Sequence, residues 1–161
     1  MVSVTLRVKW CAAHRLMHHP GRCSVLHGHN YVADITVAEM GPPTNRVHPL
    51  TGMVVDFAAV KATVAKWIDE NWDHNTILNT ADPAFKILPI PETRRRFFGR
   101  EPFAMVGEPT AENMALFLLG GAGQLSTLEE DHGVRITKVD LWETDSCCAT
   151  ACRSESPSRK E

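Results

Sequence analysis

MVSVTLRVKW (residues 1–10) decides the fold class before any other stretch. Val2, Val4, Leu6, Val8 and Trp10 fall on one side; Ser3, Thr5, Arg7 and Lys9 fall on the other. Period-two alternation marks a strand buried on one face only. The pattern returns at residues 31–39, where Tyr31, Ala33, Ile35 and Val37 share a face. Two neighbouring strands of this kind predict an antiparallel pair. Between them, residues 14–30 carry Pro20, Gly21, Gly28 and several histidines, and read as a loop.

GPPTNRVHPLTG (41–52) is a turn-rich connector. Asp56 is placed to cap a helix over 57–72, with Phe57, Val60, Val64, Trp67 and Ile68 at helical spacing. Residues 73–108 read as irregular and include four prolines and the basic-aromatic run RRRFFGR (94–100). Thr110 is a second N-cap, for a well-buried helix over 111–120 that ends in glycines. Residues 134–143 form a late strand whose apolar phase slips between Ile136 and Val139, the mark of a bulge. Residues 147–152 add a short last strand, and SESPSRKE (154–161) is a polar tail. The order β, β, α, α, β, β predicts an antiparallel α+β domain over 1–153 rather than alternating βαβ units.

Composition narrows the function classes. The chain has 161 residues, 43% of them hydrophobic and 22% charged. It is long enough to bury a core without disulfides. The formal charge of −2 speaks against general nucleic-acid binding, which favours a basic chain. No apolar run approaches the roughly 20 residues of a membrane helix. The start does not read as a signal peptide, so the expected compartment is the cytoplasm. Five cysteines, three of them crowded at Cys147, Cys148 and Cys152, do not suggest a disulfide framework.

Several groups can do chemistry. His27 and His29 in HGH stand two residues apart, so an extended backbone puts both rings on one side. His14, at the end of the adjacent strand, can supply a third nitrogen, and three neutral imidazoles with an open position form a catalytic zinc pattern. The alternative is a loop that happens to be rich in histidine, with His18 and His19 as competing ligands. Cys23 is a candidate fourth ligand, a catalytic thiol or an inert residue. Asp73-His74 can act as an acid/base pair, or His74 can simply terminate the helix. Glu143, at a strand end, can accept two hydrogen bonds from an amidine-like edge such as that of a pterin or guanine, or it can be a solvated terminus. Glu112 has the alternative of stabilising a helix N-terminus. The arginines of 94–100 suit polyphosphate or single-stranded nucleic acid, against the plain alternative of a solvated loop.

AAHRL (12–16), CSVLHGHNY (23–31), LTGMVVDF (50–57), WDHNTILN (72–79), PTAEN (109–113) and WETD (142–145) stand in the order found in one family. The sequence resembles the 6-pyruvoyl-tetrahydropterin synthase / 6-carboxytetrahydropterin synthase family over roughly residues 4–146. The resemblance implies a tunnelling (T) fold: a four-stranded antiparallel sheet with two helices on one face, subunits joining into a barrel, commonly as a hexamer of two trimers. It implies zinc held by His14, His27 and His29. It makes Cys23 the catalytic cysteine, completed by Asp73 and His74, and Glu143 the pterin anchor with Thr110 and Glu112 nearby, in a site built at subunit interfaces. The implied substrate is 7,8-dihydroneopterin triphosphate. The spacing Cys-x-x-Leu-His-Gly-His resembles the 6-carboxy branch, which serves deazapurine (queuosine-type) nucleoside synthesis; the pyruvoyl branch and an idle pterin-binding protein are the alternatives. The sequence departs from the family's pattern at Trp72, where leucine is usual, in the long 80–108 segment, and in the ending CCATACRSE.

Overall fold

A computed structural model describes residues 2–41, 47–87, 101–121 and 123–153. The RRRFFGR run and the polar tail fall outside the described residues. The alternating start forms β1 (Ser3–His14), which pairs antiparallel with β2 (His27–Glu39). Both strands outrun the visible alternation. The ladder continues from Trp10↔Tyr31 through Ala12↔His29 to His14↔His27, so the predicted loop is shorter than residues 14–30. Small residues carry this extension. A Cβ on Gly28 would stand 3.1 Å from the Ala12 carbonyl oxygen, a backbone atom with little room to give.

The sheet corrects one expectation. It has six strands rather than four and is mixed rather than antiparallel, in the order β4-β3-β1-β2-β5-β6. β1, β2, β5 (Val134–Thr144) and β6 (Cys147–Cys152) make the antiparallel part, as the alternation predicts. On the other edge of β1 lie β3 (Asn75–Asn79) and β4 (Phe103–Met105), both running parallel. The physical reason is local. His74 adopts φ 52°, a left-handed conformation uncommon outside glycine, and turns the chain back alongside the end of β1. Every residue of β3 is buried, so its sequence has no period-two signature to read.

The predicted helix over 57–72 is realised in three pieces: α1 (Phe57–Val60), a π-helical segment (Lys61–Ala65) and α2 (Lys66–Asn71). The Asp56 carboxylate accepts the Ala58 N–H at 2.8 Å, the expected cap. α3 (Ala84–Ile87) follows β3. α4 (Ala111–Gly120) is capped by the Thr110 hydroxyl, which accepts the Asn113 N–H at 3.3 Å, and ends at Gly121 in the left-handed conformation. A further short helix, α5 (Thr127–His132), leads into β5. Val60, Val64, Trp67 and Ile68 from one helical run and Met114, Leu118 and Leu119 from the other meet Leu6, Trp10, Ile35 and Leu141 of the sheet in one core. Trp72 is fully buried in it; its ring lies 5.8 Å from Trp10 and 5.1 Å from Trp67.

The opposite face of the sheet is polar. Arg7 forms a two-pronged bond with Asp34 (2.7 and 2.6 Å), and Asp140 accepts from Lys138 and Thr150, each at 2.6 Å. The Arg7 guanidinium holds the Asp34 carboxyl below its ordinary range. The slip predicted in β5 is present: Thr36 pairs with Lys138 but Val37 with Ile136, leaving Thr137 as the extra residue.

Candidate metal centre and adjoining cavity

The face of β1 and β2 that buries Leu6, Trp10, Tyr31 and Ile35 runs on without a break into His14 and His29, with His27 opposite His14. Backbone alternation alone therefore converges three imidazoles at the end of the core. Ring centroids are 4.6 Å apart for His14–His27, 4.9 Å for His27–His29 and 5.2 Å for His14–His29. One ring nitrogen from each lies within 4.8 Å of the others.

The tautomers suit a metal. His14 Nδ1 lies 2.7 Å from the Pro109 carbonyl oxygen, and His27 Nδ1 lies 2.7 Å from that of Val25. A carbonyl only accepts, so each Nδ1 carries the proton and each Nε2 keeps a lone pair. His14 is 1% exposed, and its Nε2 and that of His29 are buried with no hydrogen-bond partner. Two buried ring nitrogens without partners are costly, and the His14 lone pair is relieved only by something electrophilic. Burial lowers the His14 pKa, outweighing the Pro109 carbonyl and Glu143, and so favours the neutral ring that a cation requires. The donor set fits zinc. His18 and His19 do not compete: His18 Nδ1 is 2.7 Å from Glu108 Oε1, and His19 Nδ1 accepts the Gly21 N–H at 2.9 Å.

Glu143 sits at a second irregularity of β5. Trp142 pairs with Cys148 and Thr144 with Cys147, so Glu143 has no partner in the ladder. The bulge aims its carboxylate at the trio, with Oε1 3.4 Å from His14 Nε2 and 3.9 Å from His29 Nε2. The nearby Tyr31 hydroxyl is buried without a partner; burial first and Glu143 second push its pKa up.

Beside this centre opens a cavity of about 270 Å³ whose walls include His14, Cys23, Thr110, Glu112 and Glu143. Cys23 reaches it from a single turn of 3₁₀ helix, Arg22–Ser24. Cys147 and Cys148 also line it, although nothing in the sequence pointed to them. Thr144 and Ser146 lower the Cys147 pKa. Glu108 was missed as well. It accepts the Met17 N–H at 2.9 Å and ties the loop after β1 to the Pro109 carbonyl that orients His14. Its neighbour in sequence to the PTAEN segment was the one available signal.

Asp73 and His74 do not line the cavity that Cys23 lines. His74 lines a second cavity, of about 460 Å³, together with Cys11 and with His29 of the trio. The Asp73 carboxylate is 3.0 Å from His74 Nδ1 and accepts the Cys11 N–H at 3.0 Å. Burial raises the Asp73 pKa, but these bonds outweigh it and the net shift is downward. Within one chain, then, Cys23 and His74 open onto different cavities.

Comparison with known proteins gives a consistent set. A family model described as 6-pyruvoyl tetrahydropterin synthase matches residues 3–154. The protein named 6-carboxy-5,6,7,8-tetrahydropterin synthase in Rickettsia typhi is 36% identical over 147 residues, covering 91% of this chain and 97% of that one. Its namesake in Haemophilus influenzae is 26% identical over 144 residues, 89% of this chain and 94% of that one. Among solved structures, an uncharacterized protein from Wolinella succinogenes superposes with a TM-score of 0.73 at 21% identity, covering 95% of this chain and 98% of the other. The 6-pyruvoyl tetrahydropterin synthase of Caenorhabditis elegans superposes at 0.61 and 23% identity, covering 95% and 96%.

Proposed function

Since the chain belongs to the 6-pyruvoyl tetrahydropterin synthase family, we propose that it is a zinc-dependent lyase converting 7,8-dihydroneopterin triphosphate and water to 6-carboxytetrahydropterin, acetaldehyde and triphosphate. The observation that carries this reading is one cavity lined by His14, Cys23, Thr110, Glu112 and Glu143, which His14 joins to the histidine trio. The names of the Rickettsia and Haemophilus proteins favour the carboxy product over the pyruvoyl one.

His14, His27 and His29 would hold the ion through Nε2. Bound there, zinc acidifies hydroxyl groups and stabilises negative charge developing on the substrate side chain. Glu143 accepts the two N–H donors on the pterin edge and fixes the ring. The Cys23 thiolate takes the carbon-bound proton whose loss expels triphosphate; the thiol then returns a proton to the side chain. His74, held by Asp73, is the second acid/base and orients proton flow. In a single chain His74 lines a different cavity from Cys23. Its part therefore requires a second copy of the chain to bring Asp73 and His74 to the site.

A homo-oligomer, as a hexamer of two trimers, meets that need. Two features support it: Val25 and Leu26, 67% and 47% exposed beside His27, and the strand edges at β4 and β6. No described helix is long and apolar enough to cross a membrane. All five cysteines are free thiols, in keeping with a reducing cytoplasm. The product would feed deazapurine (queuosine-type) nucleoside synthesis. The test is mass spectrometry after incubation with dihydroneopterin triphosphate. A carboxypterin with equimolar acetaldehyde is expected. A pyruvoyl pterin without acetaldehyde selects the other branch, and unchanged substrate on zinc-loaded protein leaves only a pterin-binding role.

A further inference from the structure

Cys11 takes no part in the proposed reaction, yet it stands against two residues that do. Its Sγ is 3.7 Å from Asp73 Oδ1, which in turn is 3.0 Å from His74 Nδ1. The three donor atoms all lie within 4.8 Å of one another. Around a zinc ion, bonds of about 2.3 Å to sulfur and about 2.0 Å to nitrogen and oxygen put tetrahedral ligands roughly 3.3–3.5 Å apart. Two of the three edges already match within a few tenths of an ångström. The third closes by a turn of the His74 ring, which is 76% exposed.

The backbone holds these donors in place. The Cys11 N–H donates to Asp73 Oδ1 at 3.0 Å, and the His74 N–H donates to the Cys11 carbonyl at 2.7 Å. His74 keeps its left-handed φ of 52° within this pairing, a strained conformation that the surrounding bonds sustain. The cavity of about 460 Å³ beside it has room for a water to complete the shell.

We propose that Cys11, Asp73 and His74 form a second divalent-cation site, selective for thiophilic ions of the zinc class. Binding releases the Cys11 thiol proton and moves the imidazole proton from Nδ1 to solvent-facing Nε2, so that thiolate, carboxylate and Nδ1 lone pair meet the ion. Occupancy leaves Nε2 protonated, so that it cannot serve as a base, and ties up the carboxylate that orients the ring, so excess zinc inhibits turnover. That last clause alone rests on the catalytic role proposed for Asp73 and His74.

The test is a titration of zinc-loaded full-length protein with Co²⁺, with bound metal counted by equilibrium dialysis and the near-ultraviolet thiolate-to-cobalt band recorded. A second equivalent per chain and the band are expected. Cys11→Ser and, independently, His74→Gln should each lose the second equivalent and keep the first, with circular dichroism unchanged. Cys23→Ser should keep the band. One equivalent only in the parent protein, or a second equivalent and band surviving Cys11→Ser, overturns the site. Turnover should fall with excess zinc in the parent and not in Cys11→Ser. Binding without inhibition upholds the site and overturns the role given to the Asp-His pair.

Discussion

His14 carries more structural consequence than any other residue of the site. Its Nδ1 answers to a carbonyl 95 positions away, and its Nε2 points into the trio. Cys23, by contrast, rests on one short turn and is partly buried, so little of the architecture depends on it. Cys23→Ala should therefore keep zinc content and melting temperature near the parent values. Turnover of dihydroneopterin triphosphate should drop by roughly 10²–10⁴-fold, the usual worth of a positioned proton-transfer group. Metal analysis, calorimetry and a product assay on the same sample check this, and turnover near the parent rate would refute the assignment. The trio was legible in the sequence because i, i+2 spacing puts His27 and His29 on one side and the pairing of two neighbouring strands brings His14 to them. The contact between Cys11 and Asp73 was not, because it joins residues 62 positions apart through a backbone bond.

The elements β1 and β2 were readable as far as their hydropathy alternated, and α4 as far as its cap and glycines marked it. What escaped has a common cause. β3 is buried throughout, and the π segment Lys61–Ala65 keeps the same apolar spacing as the helix around it. Neither feature alters the pattern that sequence reading depends on. The junction between β1 and α3 was hidden for another reason: it is an ion pair. Arg15 bonds both oxygens of the buried Asp82, at 2.7 and 2.6 Å, and Asp82 also accepts the Ala84 N–H at 2.7 Å. The Arg15 guanidinium holds the Asp82 pKa below its ordinary value. A depressed carboxyl contributes stability that is present above the unfolded-state pKa, about 3.9, and is lost as pH falls through the folded-state value. Asp82→Asn should cost roughly 3 kcal/mol near neutral pH. It should also flatten the loss of stability in acid. Denaturant titrations at pH 7 and pH 3 measure both, and an equal gap between variant and parent at the two pH values would contradict this origin.

The whole molecule presents a core on one side of its sheet and paired charges on the other. Its polar side, with Arg7–Asp34 and Lys138–Asp140–Thr150, is built to face water rather than a second layer of helices. Such a sheet remains open unless further copies extend it edge to edge. Light scattering on the purified chain should give a mass several times 17.9 kDa, six-fold for two stacked trimers. Replacing both Val25 and Leu26 with glutamate should shift that mass downward and lower turnover together, with zinc content intact. A monomer of undiminished activity would rule out a shared site.

The stripe that seals the interior and the imidazoles that would grip the ion are successive rungs of one ladder, from Trp10 and Tyr31 to His14 and His27. Losing or gaining a single residue anywhere along those rungs would rotate both sets at once, wetting the hydrophobic side while scattering the ligands. Length changes in descendants of this gene should therefore gather in the turn between residues 15 and 26 and spare the strands on either side.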